Sequence, residues 1–430
     1  MPLALFRNAR IATPVDSGHP AAGPAQGRLA RWDRGALLCR DGGIVAVGDE
    51  TGVLGALDPA ARRDVRIEID CGGRCMIPGF VDPHTHLCFL SPREREFLSR
   101  LDGADYLSIL EKGGGILSSV ESVRSCSEEE LFGATRNRAL SALHLGTTTV
   151  EIKSGYGLSL ESELKQLRVI ARLGRETPIS VVPTFMAAHA VPPEFAGRAE
   201  EYVEFIAAEM LPRVAASGMA RFCDVFCEQG AFSPEQARRI LEAARAAGLG
   251  LKLHADELHD MSAAGLAAQM GAISADHLLA ASDRGLRAMA EAGVIAVLLP
   301  LTAFSMRRPY ARARAMIEMG LAVAIATDCN PGSSCIESMP FCFGISVVQM
   351  GMSVPEALTA STLNAAYALG IGAAAGSITP GKSADFLLLE GETPGILAFR
   401  TGAPVVTDVY KAGKRVWRSA AEEAAPREVP

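Results

Sequence analysis

Pro78-Gly79-Phe80-Val81-Asp82-Pro83-His84-Thr85-His86 places two imidazoles two residues apart at the end of a short apolar run. On a strand, residues i and i+2 face the same way, so His84 and His86 can close on one metal ion. Phe80 and Val81 suit a buried strand, and Pro83 sits where ladder pairing should stop. A lone His-x-His also recurs as two polar residues at a strand end, so the reading turns on whether further ligands stand at matching places.

Outward from His86, β-rich runs recur at 147–153, 179–185, 222–228, 251–256, 272–277, 294–300 and 322–328, with helical patterns between them. Ser127 with Glu130, and Ser353 with Glu356, spell capping boxes, and Ser233 before Pro234 spells an N-cap with proline at the first helical position. Eight alternations predict a (β/α)8 TIM barrel. The competing doubly wound sheet would call for a Gly-x-Gly-x-x-Gly turn after its first strand, and none is present. Such a barrel builds its active site at the carboxyl ends of its strands. There His84 and His86 close the first strand, His254 the fifth, His277 the sixth and Asp328 the eighth. Of the remaining histidines, His19 lies in a Pro/Gly-rich loop, His144 in a helical pattern and His259 just beyond the fifth strand, which suits structural or exposed roles.

Both ends of the chain read differently. Residues 1–77 and 377–417 are expected to fold together as one small β-sandwich flanking a barrel over 78–376, with a mobile Ala/Glu/Pro-rich tail at 418–430. Within the first part, 43–48 alternates cleanly, whereas 36–39 is an unbroken apolar run of the kind a fully buried strand shows. Composition agrees with a large core, at 49% hydrophobic and 21% charged residues. A net charge of −7 with no dense Lys/Arg run argues against nucleic acid or an anionic membrane as partner. No apolar run approaches the ~18 residues of a membrane span, and no secretory signal pattern opens the chain, so a cytoplasmic enzyme with a small-molecule substrate is expected. Ten cysteines without a Cys-x-x-Cys pair suggest reduced, buried thiols. Gly113-Gly114-Gly115 lacks the Lys-Ser/Thr of a phosphate loop and reads as a flexible cover for substrate.

Longer strings narrow the reading. They are Pro78 to His86, Ser91-Pro92-Arg93-Glu94-Arg95-Glu96-Phe97, Glu151-Ile152-Lys153-Ser154-Gly155-Tyr156-Gly157, Ala188-His189-Ala190-Val191-Pro192-Pro193, Cys223-Asp224-Val225-Phe226-Cys227-Glu228, Leu253-His254-Ala255-Asp256-Glu257, Thr327-Asp328-Cys329-Asn330-Pro331-Gly332-Ser333-Ser334 and Gly381-Lys382-Ser383-Ala384-Asp385. On these the chain resembles the amidohydrolase superfamily and, within it, the imidazolonepropionase family. The resemblance spans nearly the whole chain. Leu301-Thr302 departs from it where a glycine is more usual after the seventh strand.

The resemblance implies that His84, His86, His254 and Asp328 hold one divalent metal ion, zinc or iron. Three imidazoles and a carboxylate suit such an ion and leave room for water. A second ion would need a bridge such as Glu228 or Lys153 at a strand end. His277 is the candidate base, Asp328 either shuttles a proton or only ligates, and Glu257 is placed to hold or protonate a ring nitrogen. Arg93 is expected to grip a carboxylate through two parallel hydrogen bonds, with Arg95 as rival. Tyr156, His189, Asn330, Gly332 and Ser333 match the remaining substrate contacts. The implied reaction is hydrolysis of 4-imidazolone-5-propanoate to N-formimino-L-glutamate in histidine degradation, by a homodimer. Deamination of a heterocycle on the same rim, and a silent scaffold acting through protein contacts, are the alternatives. The second would be free to lose metal ligands, and all four are present.

Overall fold

A computed structural model describes residues 3–103 and 115–420, so Gly113, Gly114 and the tail from 421 onward lie outside the described residues. Strands are numbered along the chain. The first five are β1 (Leu3–Pro14), β2 (Leu29–Arg40), β3 (Gly43–Asp49), β4 (Val65–Asp70) and β5 (Cys75–Pro78). The barrel strands are β6 (Phe80–Asp82), β7 (Thr147–Lys153), β8 (Ser180–Ala188), β9 (Phe222–Cys227), β10 (Gly250–Ala255), β11 (Ser274–His277), β12 (Ile295–Leu298) and β13 (Val323–Ile325). Three more follow: β14 (Phe386–Leu389), β15 (Val406–Lys411) and β16 (Lys414–Arg418).

Strands β6 to β13 pair in sequence order, each neighbouring pair parallel, with helices in the connections. There is no reversal of order of the kind a doubly wound sheet requires. The architecture is the expected eight-stranded barrel, nearly closed. The expected caps are present too: Ser127, Ser233 and Ser353 each accept a hydrogen bond from the third residue of their helix. Apolar side chains on the barrel strands and on the inner faces of the helices, such as Leu167, Ile170 and Leu173, form one continuous core.

The first barrel strand is shorter than its sequence suggests. β6 ends at Asp82, so His84 and His86 lie past its end, not on it. Their alternation survives because the backbone stays extended and bonded on both sides. Asp328 N donates to His84 O at 3.1 Å and His86 N to Cys329 O at 2.9 Å, while Lys153 N donates to Thr85 O at 3.0 Å. These bonds close the barrel between its first and last strands at the height of the histidines.

The chain ends build a second body. Its strands form one continuous hydrogen-bonded sheet in the order β16-β15-β14-β5-β1-β2-β3, with β4 paired to β1. The ambiguous run 36–39 lies in β2 and is buried throughout, which explains its lack of alternation. Phe6, Phe386 and Tyr410 pack ring against ring at 4.5–5.1 Å in the core of this sheet. Gln26, buried between the bodies, pairs with both backbone groups of Val323 on β13.

Candidate metal and substrate site

The carboxyl ends of the barrel strands bring His84, His86, His254, His277 and Asp328 into one buried cluster, each no more than 3% exposed. Ladder register does part of the work: on β10 and β11, His254 lies beside Asp276 and Ala255 beside His277. His84 Nδ1 bonds Asp276 Oδ2 at 2.6 Å, and His254 Nδ1 bonds Asp224 Oδ1 at 3.0 Å. A carboxylate on Nδ1 selects the tautomer whose Nε2 carries the lone pair, the arrangement metal-binding histidines use.

Those lone pairs converge. His86 Nε2 lies 3.3 Å from His254 Nε2, and Asp328 Oδ1 lies 3.6 Å from His84 Nε2 and 3.7 Å from His86 Nε2. His84 Nε2 is buried with no hydrogen-bond partner among the described residues. Imidazole nitrogens and a carboxylate oxygen gathered this closely fit a bound cation. Burial, reinforced by nearby cationic groups, holds His84 and His86 well below the ordinary histidine pKa, which leaves them neutral as ligands must be. Asp328 Oδ2 accepts from the Thr302 hydroxyl, which fixes the orientation of that carboxylate.

His277 stands beside this cluster with both ring nitrogens buried and unpartnered among the described residues. Burial, and next the His254 charge, push its pKa well down, so it is a neutral acceptor. Its Nδ1 is 3.6 Å from Glu257 Oε2. Burial raises the Glu257 carboxyl to about 8, with the Asp328 charge adding to the shift, so this acid carries a proton near neutral pH. His277 and Asp328 both have left-handed backbone, at φ 77° and 51°. Such conformations cost roughly 1–3 kcal/mol and persist only where the surroundings enforce them.

A cavity of about 220 Å3 opens at the rim, lined in part by Arg93, Phe97, Pro331, Gly332 and Ser333. Arg93 N donates to Pro331 O at 2.7 Å, and its guanidinium reaches Ser119 and Glu96, each at 3.2 Å. Gly332 leaves room for that guanidinium, since a Cβ at its position would stand 1.7 Å from Arg93 Nη2 and make the side chain move. Arg95, the rival, is exposed and does not line the cavity. His189 stacks on His86 at 4.9 Å, and Tyr156 lies 5.3 Å from His189. The Asn330 amide is used within its own loop. Its Oδ1 accepts from Gly332 N and Ser333 N, and its Nδ2 donates to Asp328 O and Ser333 Oγ. Asn330 therefore shapes the loop that presents Gly332 and Ser333.

A model of the amidohydrolase family matches residues 75–416. An imidazolonepropionase of Desulfotalea psychrophila is 58% identical over 412 residues, covering 96% of this chain and 99% of that protein. One from Geobacillus kaustophilus is 45% identical, covering 96% and 98%. The chain belongs to the imidazolonepropionase family of amidohydrolases. Among solved structures, a triazine hydrolase variant overlays with a TM-score of 0.74 at 17% identity, covering 97% of this chain and 95% of that one. A 5-methylcytosine deaminase from Klebsiella pneumoniae overlays at 0.72 and 16%, covering 96% and 97%. At such identities these two speak for the fold alone.

As a member of the imidazolonepropionase family, the chain is a hydrolytic enzyme acting on C–N bonds of a small-molecule substrate. Two candidates for bridging a second ion are engaged elsewhere. Glu228 accepts from Gln229 N, Leu258 N and His259 N and bonds His259 Nδ1, and so anchors the loop carrying Glu257. Lys153 is buried among carboxylates. The sequence reading overlooked Asp224, Asp276 and Glu151, the acids behind the ligands. The available signal was an acidic residue inside a run that reads as a barrel strand, clearest at Asp224 within the otherwise apolar Phe222–Cys227.

Proposed function

We propose that this site hydrolyses the ring amide of 4-imidazolone-5-propanoate to N-formimino-L-glutamate, with His84, His86, His254 and Asp328 holding one divalent ion, zinc or iron. Such an ion supplies a hydroxide nucleophile near neutral pH by lowering the pKa of the water it coordinates. Convergence of three imidazole Nε2 atoms and Asp328 Oδ1 is the observation that carries the reading. His277, neutral and without a competing partner, takes the proton that the attacking water gives up. The water oxygen bonds to the carbonyl carbon, the carbon–nitrogen bond breaks, and the departing nitrogen takes a proton from Glu257. The 3.6 Å approach of His277 Nδ1 to Glu257 Oε2 lets the proton gained by the base replace the one given by the acid. Asp328 is proposed to ligate, its second oxygen being occupied by Thr302.

Arg93 receives the propionate as a two-pronged hydrogen bond, and Tyr156, His189 and the Gly332–Ser333 turn bound the ring. Engagement of Lys153 and Glu228 in their own ion pairs and loop bonds supports a single ion. We place the enzyme in the cytoplasm as a homodimer. Ten unpaired cysteines suit a reducing compartment, and no helix among the described residues is long and apolar enough to cross a membrane.

The test is turnover of the imidazolone with elemental analysis on the same sample. Expected are formiminoglutamate and one equivalent of metal. Two equivalents, or full activity without metal, would overturn the one-ion centre, and release of ammonia as primary product would favour deamination.

A further inference from the structure

We infer that Lys153 is a positioning residue for the metal centre, holding the segments that carry three of its ligands through three different carboxylates. This deepens the four-ligand reading above and rests on it. Lys153 ends β7 and is completely buried. An ammonium has three N–H groups to direct and no lone pair to offer a cation. Its Nζ lies 2.7 Å from Glu151 Oε1, 2.8 Å from Asp224 Oδ2 and 3.9 Å from Asp276 Oδ2.

Each of these acids leads to a different part of the ligand set. Asp224 uses its other oxygen on His254 Nδ1, at 3.0 Å. Asp276 holds His84 Nδ1 at 2.6 Å. Glu151 Oε2 accepts from Thr85 N at 3.3 Å, and Glu151 O accepts from the Thr85 hydroxyl at 2.6 Å, between His84 and His86. The backbone N–H of Lys153 donates to Thr85 O. One residue therefore grips the His-Thr-His segment through its main chain and, through carboxylates, orients two imidazoles.

Charge explains why a lysine is needed. Glu151, Asp224 and Asp276 sit together with no exposed surface, and carboxylates so placed need compensating cations. Lys252 is a second buried ammonium near these acids, but among them it approaches Asp276 alone, at 3.9 Å, and it donates to the Pro83 carbonyl at 3.2 Å. Glu151 and Asp224 depend on Lys153. Removing its charge makes those acids separate or take up protons, and either response loosens the carboxylate on which the His254 orientation rests.

The experiment uses the full chain, stripped of metal and titrated with zinc against a chromophoric chelator, with the visible spectrum of the cobalt-loaded protein as second readout. Lys153→Met is expected to raise the zinc dissociation constant about 10–100-fold, the usual effect of removing support behind a ligand. Its cobalt bands should shift in position or intensity even at saturating metal. An affinity and spectrum matching the parent, whatever the change in melting temperature, would overturn the inference and leave Lys153 as a packing residue. Should Lys153→Met not fold, Glu151→Gln decides, since it keeps the shape and removes one of the charges that fix the ammonium. It is expected to weaken zinc binding about tenfold, and parent-like affinity and spectrum would again overturn the inference. A parent protein that binds no metal would sink the four-ligand reading itself.

Discussion

At the scale of single residues, His277 and Gly332 separate chemistry from metal retention. His277 has two unpartnered ring nitrogens and lies close enough to His84 and His254 to share an ion with them, but in the proposed centre it is the base and not a ligand. His277→Ala is expected to keep its metal while kcat falls about 10²–10⁴-fold, the ordinary cost of a positioned base. Metal analysis beside the rate checks this, and loss of metal would make His277 a ligand. Gly332 acts through space it leaves empty. In Gly332→Ala the new methyl must push the Arg93 guanidinium aside, because it would otherwise overlap Nη2. Losing a charge-assisted contact to the propionate is expected to lower kcat/KM about 10–100-fold, mostly through KM, with metal content unchanged. Parent-like kinetics would place the carboxylate contact elsewhere.

At the scale of elements, the βα loop after β7 shows how a helix start holds Tyr156, a side chain proposed to bound the substrate ring. Glu163, in the first turn of the helix Leu160–Glu176, accepts hydrogen bonds from Gly155 N, Gly157 N and Leu158 N. Gln166, one residue short of a full turn further on, accepts from Tyr156 N. Four consecutive residues, Tyr156 among them, are thus tied to one helix end. Glu163→Ala leaves three buried N–H groups without acceptor, which costs on the order of 3 kcal/mol or more. A lower melting temperature and a raised KM should appear together in this variant. A large loss of stability with KM unmoved would detach Tyr156 from substrate binding.

For the whole molecule, the joining of the two chain ends rests partly on one ion pair, to which the barrel adds a hydrogen bond from Tyr367. Lys382, from the Gly381–Asp385 string, lies 2.6 Å from Asp16, which also accepts from the Tyr367 hydroxyl. Burial pushes the Asp16 carboxyl up, but Lys382 and the hydrogen bonds outweigh it and hold the pKa below the ordinary value. A lowered folded-state pKa means that the unfolded chain takes its proton first as pH falls. The contribution is therefore present above the unfolded value near 3.9 and is lost as pH drops through the folded one. Asp16→Asn is expected to cost about 1.5–3 kcal/mol at pH 7, a typical figure for charge-assisted hydrogen bonds, with the gap from the parent narrowing only as pH falls below about 3.9. Urea midpoints of both proteins across that range check it. A gap that stays constant with pH would assign the loss to packing.

The sequence by itself determined the barrel and the identity of its metal-capable rim. Alternating β-rich and helical runs have only a few packed solutions, and histidines at strand ends fall on one face of a barrel wherever its loops run. It also marked helix starts, since a capping box is a local bond between residues three apart. What only the tertiary structure decided are the long-range pairings. His84 meets Asp276 across 192 residues and His254 meets Asp224 across 30, and neither spacing carries a local signal. The shortness of β6 belongs here as well, because His84 and His86 keep their alternation through bonds to Cys329, Asp328 and Lys153 from elsewhere in the barrel. That Arg93 lines a cavity beside Gly332 while Arg95, two residues on, does not is likewise visible only in the fold. Residue types set what chemistry was available, and closure of the barrel set which groups touch, because burial without water forces each charged group to find its partner in space.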